Sequence, residues 1–306
     1  MSEAAVEAVE LRRAFGGQLA VSSLSLRVEP GEIYGLVGPD GAGKTTTLRM
    51  LAGLLDPDGG RVSILGRDPF ARGGGGFREF LGYMPQQYSL YGDLTVDENL
   101  AFFREMFCLR REAFARRKER LLALTRLAPF GRRRASALSG GMYKKLALAS
   151  VLLHEPKVLL LDEPTNGVDP VSRREFWDLL HGFLAEGMAI VFATPTMDEA
   201  ARCHRVGLLY EGRLLEEGRP GELVRAFEQP VFRVSGERDR LEAWVEESGD
   251  ALAFTPAGAE LRVVVRRGRE KSLLETFGSA ASPAMPTFED LFLARVRERR
   301  EAERRA

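Results

Sequence analysis

The segment GPDGAGKT, from Gly38 to Thr45, constrains the fold of this 306-residue chain more than any other. It follows an apolar run, IYGLV, and precedes TTLRMLAGLL, whose apolar residues recur with helical spacing. Glycines in the turn leave backbone N–H groups free to converge on phosphate oxygens at a helix N-terminus. Lys44 would reach the terminal phosphates and Thr45 would ligate magnesium, so the segment predicts a phosphate-binding loop rather than an ordinary glycine turn. The residues predicted to line this loop are Gly38, Pro39, Asp40, Gly41, Ala42, Gly43, Lys44, Thr45 and Thr46.

A second segment, VLLLDE from Val158 to Glu163, is typical of a buried strand that ends in two acidic residues. Asp162 is placed to hold magnesium through water, and Glu163 to orient or polarise an attacking water. Alone, the segment fits a polar strand terminus equally well. Together with the phosphate loop, it predicts that Glu163 acts catalytically on a bound phosphate group.

The composition is that of a soluble globular protein, with 44% hydrophobic residues and 44 basic side chains balanced by 44 acidic ones. This balance gives no electrostatic case for nucleic acid as a partner. No run approaches the roughly 18 to 20 apolar residues of a membrane span, and the acidic first residues do not resemble a secretory signal, so we expect a cytoplasmic chain. We expect Cys108 and Cys203 to be buried thiols, since they form no metal-like group with the histidines.

Apolar periodicity divides the chain into a long α/β region and a shorter region that restarts near Gln229. Strand patterns dominate from Val6 to Ile64, and helical spacing dominates from about Asp93 to Pro129. Alternating strands and helices then resume. The final region predicts a small α+β domain whose last helix begins with a capping box at Thr287 and Asp290.

Two further motifs flank the VLLLDE strand: LSGGM, from Leu138 to Met142, and GVDP downstream. With the phosphate loop, this set resembles the ATP-binding cassette (ABC) ATPases. In that family, an LSGGQ signature supplies donors from a helix N-terminus to the γ-phosphate bound by the other subunit. Ser139, Gly140 and Gly141 match the signature, although Met142 replaces its glutamine and an isolated SGG would be only a flexible turn. The resemblance implies ATP and Mg²⁺ as ligands.

Three more positions acquire roles from this resemblance. Gln86 matches the glutamine that contacts magnesium and hinges the helical subdomain, with Gln87 or plain loop polarity as alternatives. Phe15 stands where the family places an aromatic that stacks on adenine, the alternative being a core side chain. Asp169 corresponds to the acid that links the two sites of a dimer, the alternative being an Asp-Pro turn. The implied metal ligands are Thr45, Gln86 and Asp162.

The resemblance covers about residues 6 to 227 and is nearest to the ATP-binding subunits of ABC-2-type drug and antibiotic exporters, in particular the N-terminal half of tandem-ATPase subunits. It implies an α/β fold, in which residues 1–228 form a P-loop ABC nucleotide-binding domain with a mixed β-sheet subdomain, a RecA-like core and a helical subdomain at about 90–150. Residues 229–306 would form an accessory domain. The implied partners are a second ABC domain and a separate membrane permease, gripped by the helical subdomain and the loop from Gln86 to Tyr91, at the inner face of the cell membrane. The transported substrate is not readable from this chain.

One position departs from the family pattern. The segment ATPTMDEA carries Pro195 where the family has a histidine that senses the γ-phosphate. Proline has neither an imidazole nor a backbone N–H, so it cannot donate a hydrogen bond to the phosphate. Either Glu163 suffices for hydrolysis, or the chain is the weak half of an asymmetric pair and turns over little ATP itself.

Other nucleotide-binding classes fit less well. Soluble ABC proteins of translation or DNA repair carry two cassettes or a long coiled-coil insertion, and the helical block from about Asp93 to Pro129 is too short for the latter. A GTPase is disfavoured because the sequence has no NKxD-like base-reading motif.

Overall fold

The computed structural model describes residues 3–71, 74–87, 90–236 and 238–305. The strands are β1 (Val6–Phe15), β2 (Gln18–Val28), β3 (Ile33–Val37), β4 (Gly59–Ile64), β5 (Leu81–Met84), β6 (Val158–Asp162), β7 (Ala189–Thr194), β8 (Arg205–Tyr210), β9 (Arg213–Gly218), β10 (Val231–Ser235), β11 (Ala251–Ala257), β12 (Glu260–Val265) and β13 (Ala281–Ala284). The helices are α1 (Lys44–Leu51), α2 (Val96–Met106), α3 (Arg111–Leu124), α4 (Gly140–Leu152), α5 (Pro170–Leu184), α6 (Met197–Ala200), α7 (Pro220–Ala226), α8 (Arg238–Ser248), α9 (Glu270–Phe277) and α10 (Phe288–Arg305).

A six-stranded sheet with the order β5-β6-β7-β3-β8-β9 forms the centre of the molecule. Its strands are parallel except for β9, which pairs antiparallel with β8. Every residue of β3, β6 and β7 is buried, which explains their nearly continuous apolar sequences. Because parallel strands end at the same edge of a sheet, the segments that follow β3, β5, β6 and β7 converge there.

The central sheet separates two parts of the core. On β3, Ile33 and Val37 belong to the cluster that includes Trp177 of α5, whereas Tyr34 and Leu36 belong to the cluster on the opposite face. This alternation follows from the two-residue period of a strand. The second cluster also contains α1 and an antiparallel sheet with the order β2-β1-β4. The structure is therefore the mixed α/β fold that the sequence predicts.

The helical character predicted from about Asp93 to Pro129 is confirmed by α2 and α3. A capping box starts α2: Thr95 Oγ1 accepts from the backbone N–H of Glu98, whose carboxylate accepts from the backbone N–H of Thr95. Leu100 of α2 and Leu121 of α3 are buried in the core.

Residues 231–284 contribute a third sheet, with the antiparallel order β11-β12-β10-β13. The predicted capping box is confirmed, since the Asp290 backbone N–H donates to Thr287 Oγ1 and the Thr287 N–H donates to Asp290 Oδ2. Strand β13, with the sequence ASPA, has no apolar alternation and was not predicted. The division of the chain at residue 228 into two domains stays a prediction.

The two cysteines differ in environment. Cys203 is buried as expected, but the expectation for Cys108 was wrong, because this residue is exposed. Cys108 lies in the turn that follows α2, where its backbone is left-handed (φ 52°). Among the described residues, none of the helices combines the length and the apolarity that a bilayer span requires.

Candidate functional site

The predicted phosphate loop lies between β3 and α1, at the carboxyl edge of the central sheet. Two of its glycines are required by close backbone contacts. A Cβ on Gly43 would lie 2.4 Å from the carbonyl oxygen of Ala20, and one on Gly38 would lie 2.1 Å from that of Leu209. Gly43 also has φ 104°, a conformation that L side chains rarely adopt. The loop is therefore a glycine-dependent cradle at a helix N-terminus, which suits a phosphate group.

Lys44 lies at the bottom of this cradle with its side chain buried. Its Nζ donates to the carbonyl oxygens of Gly38 at 2.8 Å and Pro39 at 3.0 Å. The same ammonium lies 3.2 Å from Glu163 Oε1, so the cation of the loop pairs with the acid that follows β6. This contact joins the two sequence motifs in one site.

Thr45 and Asp162 form an oxygen pair beside the loop. Thr45 Oγ1 donates to Asp162 Oδ1 at 3.0 Å, and Tyr83 OH lies 3.5 Å from Asp162 Oδ2. Burial raises the pKa of Asp162, and the hydrogen bond from Thr45 opposes this effect. Burial, with the charge of Asp162 adding to it, also raises the pKa of Tyr83 to about 12. A hydroxyl next to a carboxylate is the kind of hard oxygen donor set that fits Mg²⁺.

Glu163 has a left-handed backbone (φ 47°), and its N–H donates to the carbonyl oxygen of Ala193 in β7. Such a conformation costs a non-glycine residue about 1 to 3 kcal/mol and is concentrated at functional sites. Glu163 Oε2 accepts from Gln86 Nε2 at 2.8 Å, and Asn166 Nδ2 is 3.4 Å from the same oxygen. Gln86, predicted to contact magnesium, therefore also holds the predicted catalytic acid in place.

These residues surround a cavity of about 470 Å³, large enough for a bound small molecule. Gln86 lines the cavity and Gln87 does not, which favours Gln86 of the two candidates. Pro195, the position that departs from the family pattern, also lies on the cavity wall. The lining residues are Ala20, Asp40, Gly41, Ala42, Gly43, Lys44, Thr45, Thr46, Gln86, Glu163, Asn166 and Pro195.

Phe15 does not line this cavity, and its proposed role stays a prediction. The residue ends β1, and its side chain is 49% exposed, so the core alternative is wrong. The guanidinium of Arg13 lies 5.0 Å from the ring centroid. The ring therefore already contacts a cation, and its exposed part is accessible to a planar ligand.

The signature residues lie outside the cavity lining, at the N-terminus of α4. Ser139 caps this helix by accepting from the Met142 N–H at 3.3 Å, and both Ser139 and Gly140 are exposed. A Cβ on Gly141 would lie 2.4 Å from the side chain of Ser172 on α5. The signature is thus an exposed helix N-terminus packed against the start of the next helix.

Asp169 caps that next helix, α5. Its carboxylate accepts from the N–H groups of Val171 at 3.1 Å and Ser172 at 2.9 Å. The hydrogen bonds from Ser172 lower the pKa of Asp169. Asp169 and the signature therefore share one exposed surface, next to but distinct from the cavity lining.

Sequence reasoning missed three side chains at the site. Tyr83 contacts Asp162, and Asn166 contacts Glu163. Lys144 Nζ donates to the carbonyl oxygen of Gln86 at 3.0 Å, and burial lowers the pKa of this lysine. The position of Asn166 three residues after Glu163 was a usable signal, whereas the contacts of Tyr83 and Lys144 depend on tertiary structure.

A largely parallel sheet in which β3 leads into a glycine cradle and β6, on the far side of β7, leads into a buried acid defines a P-loop nucleotide-binding domain. Comparison with known proteins identifies the family within this class. A family model described as "ABC transporter" matches residues 21–166. The chain belongs to the ABC transporter family, as a member of its ATP-binding proteins.

The relatives extend over different shares of the chain. A probable multidrug ABC transporter ATP-binding protein, YbhF of Escherichia coli K12, is 48% identical over 227 residues, which cover 74% of this chain but only 39% of that protein. The Nod factor export ATP-binding protein I of Rhizobium sp. strain N33 is 36% identical over 305 residues, covering 96% of this chain and 97% of the relative. Among solved structures, CbiO1 of Clostridium perfringens is 29% identical with a TM-score of 0.67, covering 74% of this chain and 92% of that one.

Proposed function

We propose that this chain binds and hydrolyses ATP, and that nucleotide-driven closure of two such domains powers a membrane exporter. The observation that carries this proposal is the convergence of the glycine cradle, Lys44, the Thr45–Asp162 pair and Glu163 around one cavity. Each group matches a need of phosphoryl transfer: donors for the phosphates, oxygens for the metal and an acid next to the attacking water.

The residues fit their ligands in chemical type. The backbone of Gly38–Gly43 and the ammonium of Lys44 would bind the phosphates, while Thr45, Gln86 and Asp162 would hold Mg²⁺. The metal would neutralise developing negative charge on the phosphates. Glu163 would accept a proton from the attacking water, and its ion pair with Lys44 and hydrogen bond from Gln86 hold its carboxylate at the cavity wall. Phe15 would stack on the adenine.

A second copy of an ABC domain would complete the site. Ser139, Gly140 and Gly141 form a helix N-terminus, exposed at Ser139 and Gly140, that suits the γ-phosphate on a facing subunit. Asp169, on the same surface, would link the two sites. Because both motifs lie outside the chain's own cavity lining, their use in trans requires a dimer.

A separate permease chain would receive the movement that accompanies closure of the two ATP-binding domains. The relatives' names, a multidrug transporter and a Nod factor exporter, support export as the direction of transport.

An apolar surface on α2 and the preceding loop supports docking of the permease. Tyr91 and Met106 are more than half exposed, and Tyr91 packs on Phe102 at 4.6 Å between ring centroids. Tyr88 and Ser89, in the loop predicted to grip the permease, lie outside the described residues. Such a partner would hold the chain at the inner face of the cell membrane, with residues 229–306 as an accessory domain.

Pro195 favours a second candidate function. Because it lies on the cavity wall without a donor to offer, the chain would be the weak ATP-binding half of an asymmetric pair. Its partner would then supply the active loop, acid and histidine, while this chain supplies LSGGM.

Sedimentation of the Glu163→Gln variant with nucleotide tests the proposal. The variant should bind Mg-ATP, because its phosphate loop is intact, and should form a dimer that does not appear with Mg-ADP. The Lys44→Ala variant is the control and should stay monomeric, since it lacks the cation of the loop. A chain that binds no Mg-ATP would contradict the proposed function, and a chain that binds it as a monomer would favour the asymmetric pair.

A further inference from the structure

Glu199, on the short helix α6, is a buried carboxylate that the proposed chemistry leaves without a role. Its side chain is only 3% exposed. Burying an ionised carboxylate is costly unless hydrogen bonds and a nearby cation compensate. The contacts of Glu199 therefore show what its presence stabilises.

Three side chains donate hydrogen bonds to this carboxylate. Thr165 Oγ1 and Trp177 Nε1 donate to Oε1 at 2.5 and 3.4 Å, and Thr194 Oγ1 donates to Oε2 at 2.6 Å. The guanidinium of Arg173 lies 3.9 Å from Oε1. Every partner is a donor or a cation, as an acceptor-only carboxylate requires.

Two of these donors lie next in sequence to residues that line the cavity. Thr165 lies between Glu163 and Asn166, which both line it. Thr194 precedes Pro195, and its Oγ1 also accepts from the backbone N–H of Thr196 at 3.0 Å. One carboxylate thus joins the segment after β6 to the segment after β7.

The remaining partners belong to α5, the helix that Asp169 caps. Trp177 and Arg173 lie on its first two turns, and Arg173 Nη2 also donates to the carbonyl oxygen of Val168 at 3.3 Å. The network therefore extends from the cavity walls to the surface that carries Asp169.

We propose that Glu199 is a positioning residue that fixes the Glu163 segment relative to the Pro195 segment and couples both to α5. The role rests on the proposed nucleotide site, and it is independent of whether turnover is fast or slow. Proline offers the phosphate no donor at position 195, and the placement of this segment depends on the hydrogen bonds of Thr194 and Thr196. Misplacement of a catalytic group by about 1 Å can cost on the order of 100-fold in rate.

Thr165→Val tests the coupling, with Thr165→Ser as its matched control. Valine keeps the size of threonine but removes the donor to Glu199, whereas serine keeps the hydroxyl. Both are made in a Trp244→Phe background, so that Trp177 is the remaining tryptophan of the two in the chain. Equilibrium dialysis gives the Kd for Mg-ATP, emission of Trp177 reports on the network, and single-turnover hydrolysis gives the rate.

We expect Mg-ATP to change the emission of Trp177 in the Trp244→Phe parent and in Thr165→Ser, but not in Thr165→Val. The Kd should stay within about two-fold in all three, while hydrolysis falls at least about ten-fold in Thr165→Val. Glu199→Gln keeps the size of the side chain but removes its charge. It should likewise leave the Kd for Mg-ATP nearly unchanged while lowering the rate of hydrolysis.

Three outcomes separate the alternatives. A parent protein that does not bind Mg-ATP would overturn the proposed function. A parent that binds Mg-ATP without any response of Trp177, or a Thr165→Val variant whose response and rate equal those of Thr165→Ser, would overturn the coupling role and leave the proposed function intact. If Glu199→Gln does not fold, the two threonine variants decide.

Discussion

At the scale of single residues, the chemistry of the site depends on a few side chains whose positions are fixed by their neighbours. Glu163 is held by Lys44, Gln86 and a left-handed backbone, so its carboxylate has one defined position. Pro195 has no donor to contribute beside it. In the proposed function, the rate at which the chain turns over ATP depends on the acid that is present, Glu163, and on the donor that is missing at position 195.

Placing an imidazole at position 195 tests how far the missing donor limits the turnover of ATP. We expect Pro195→His to raise the turnover of ATP by about ten-fold or more, because a donor at the cavity wall would stabilise charge that develops on the phosphate. Pro195→Ala, which removes the ring constraint without adding an imidazole, is the control and should not show this gain. Equal turnover of wild type and Pro195→His in a steady-state assay would contradict the expectation and show that proline is tolerated.

Asp162 links the site to pH-dependent stability. Because burial raises the pKa of Asp162, the folded chain binds this proton more readily than the unfolded chain does. The carboxyl therefore contributes stability at a pH below its unfolded pKa and loses that contribution as the pH rises through its folded pKa.

We expect Asp162→Asn, which cannot ionise, to have a higher Tm than wild type near pH 7 in the absence of nucleotide and metal. The difference should narrow as the pH falls, because the raised pKa lets the wild-type carboxyl in the folded chain take up a proton. Thermal denaturation in EDTA at several pH values measures the difference in Tm between Asp162→Asn and wild type. Asp290→Asn is a useful control, since it breaks the buried ion pair with Arg262 and should lower the Tm at neutral pH. A lower Tm for Asp162→Asn near pH 7 would be inconsistent with this account.

At the scale of elements, the site exists because parallel strands deliver their following loops to one edge of a sheet. Strand β3 leads into the cradle, β6 into Asp162 and Glu163, β5 into Gln86 and β7 into Pro195. The cradle itself depends on backbone conformations that only glycine adopts without strain.

Gly43→Ala tests this dependence. The added Cβ would collide with the carbonyl oxygen of Ala20 in a backbone with φ 104°, so we expect a loss of about 2 to 3 kcal/mol in the free energy of unfolding and loss of nucleotide binding. Gly182→Ala, in the last turns of α5 with open space around it, is the control. It should stabilise the chain by up to about 1 kcal/mol, because alanine favours a helix. Denaturant unfolding measures the change in the free energy of unfolding for each variant. Equal changes in the two variants would contradict the expected dependence on glycine at position 43.

The elements also show which features a sequence can reveal. The phosphate loop and β6 were predictable because their chemistry is encoded in local spacing and in continuous apolar runs. Strand β13 was not, since ASPA gains its strand conformation only by pairing with β10. Lys144 and Glu199 gave no local signal either, because their roles come from partners 58 and 34 residues away in sequence.

At the scale of the whole molecule, the arrangement of surfaces predicts cooperation between two chains. The cavity is lined by the phosphate loop, Gln86 and Glu163, while Ser139, Gly140 and Asp169 are exposed outside that lining. A single copy therefore lacks the donors that the signature would place on the γ-phosphate. We expect hydrolysis per chain to increase with protein concentration, since it requires association.

The measurement that tests this account most directly is ATP hydrolysis by the purified chain over a range of concentrations, with Glu163→Gln alongside. We predict that the specific activity rises with concentration and falls at least about 100-fold in the variant, which lacks the general base. Binding of ATP with turnover no higher than that of the variant would assign the chain to the weak half of an asymmetric pair. A specific activity that is independent of concentration and unchanged in Glu163→Gln would contradict the account.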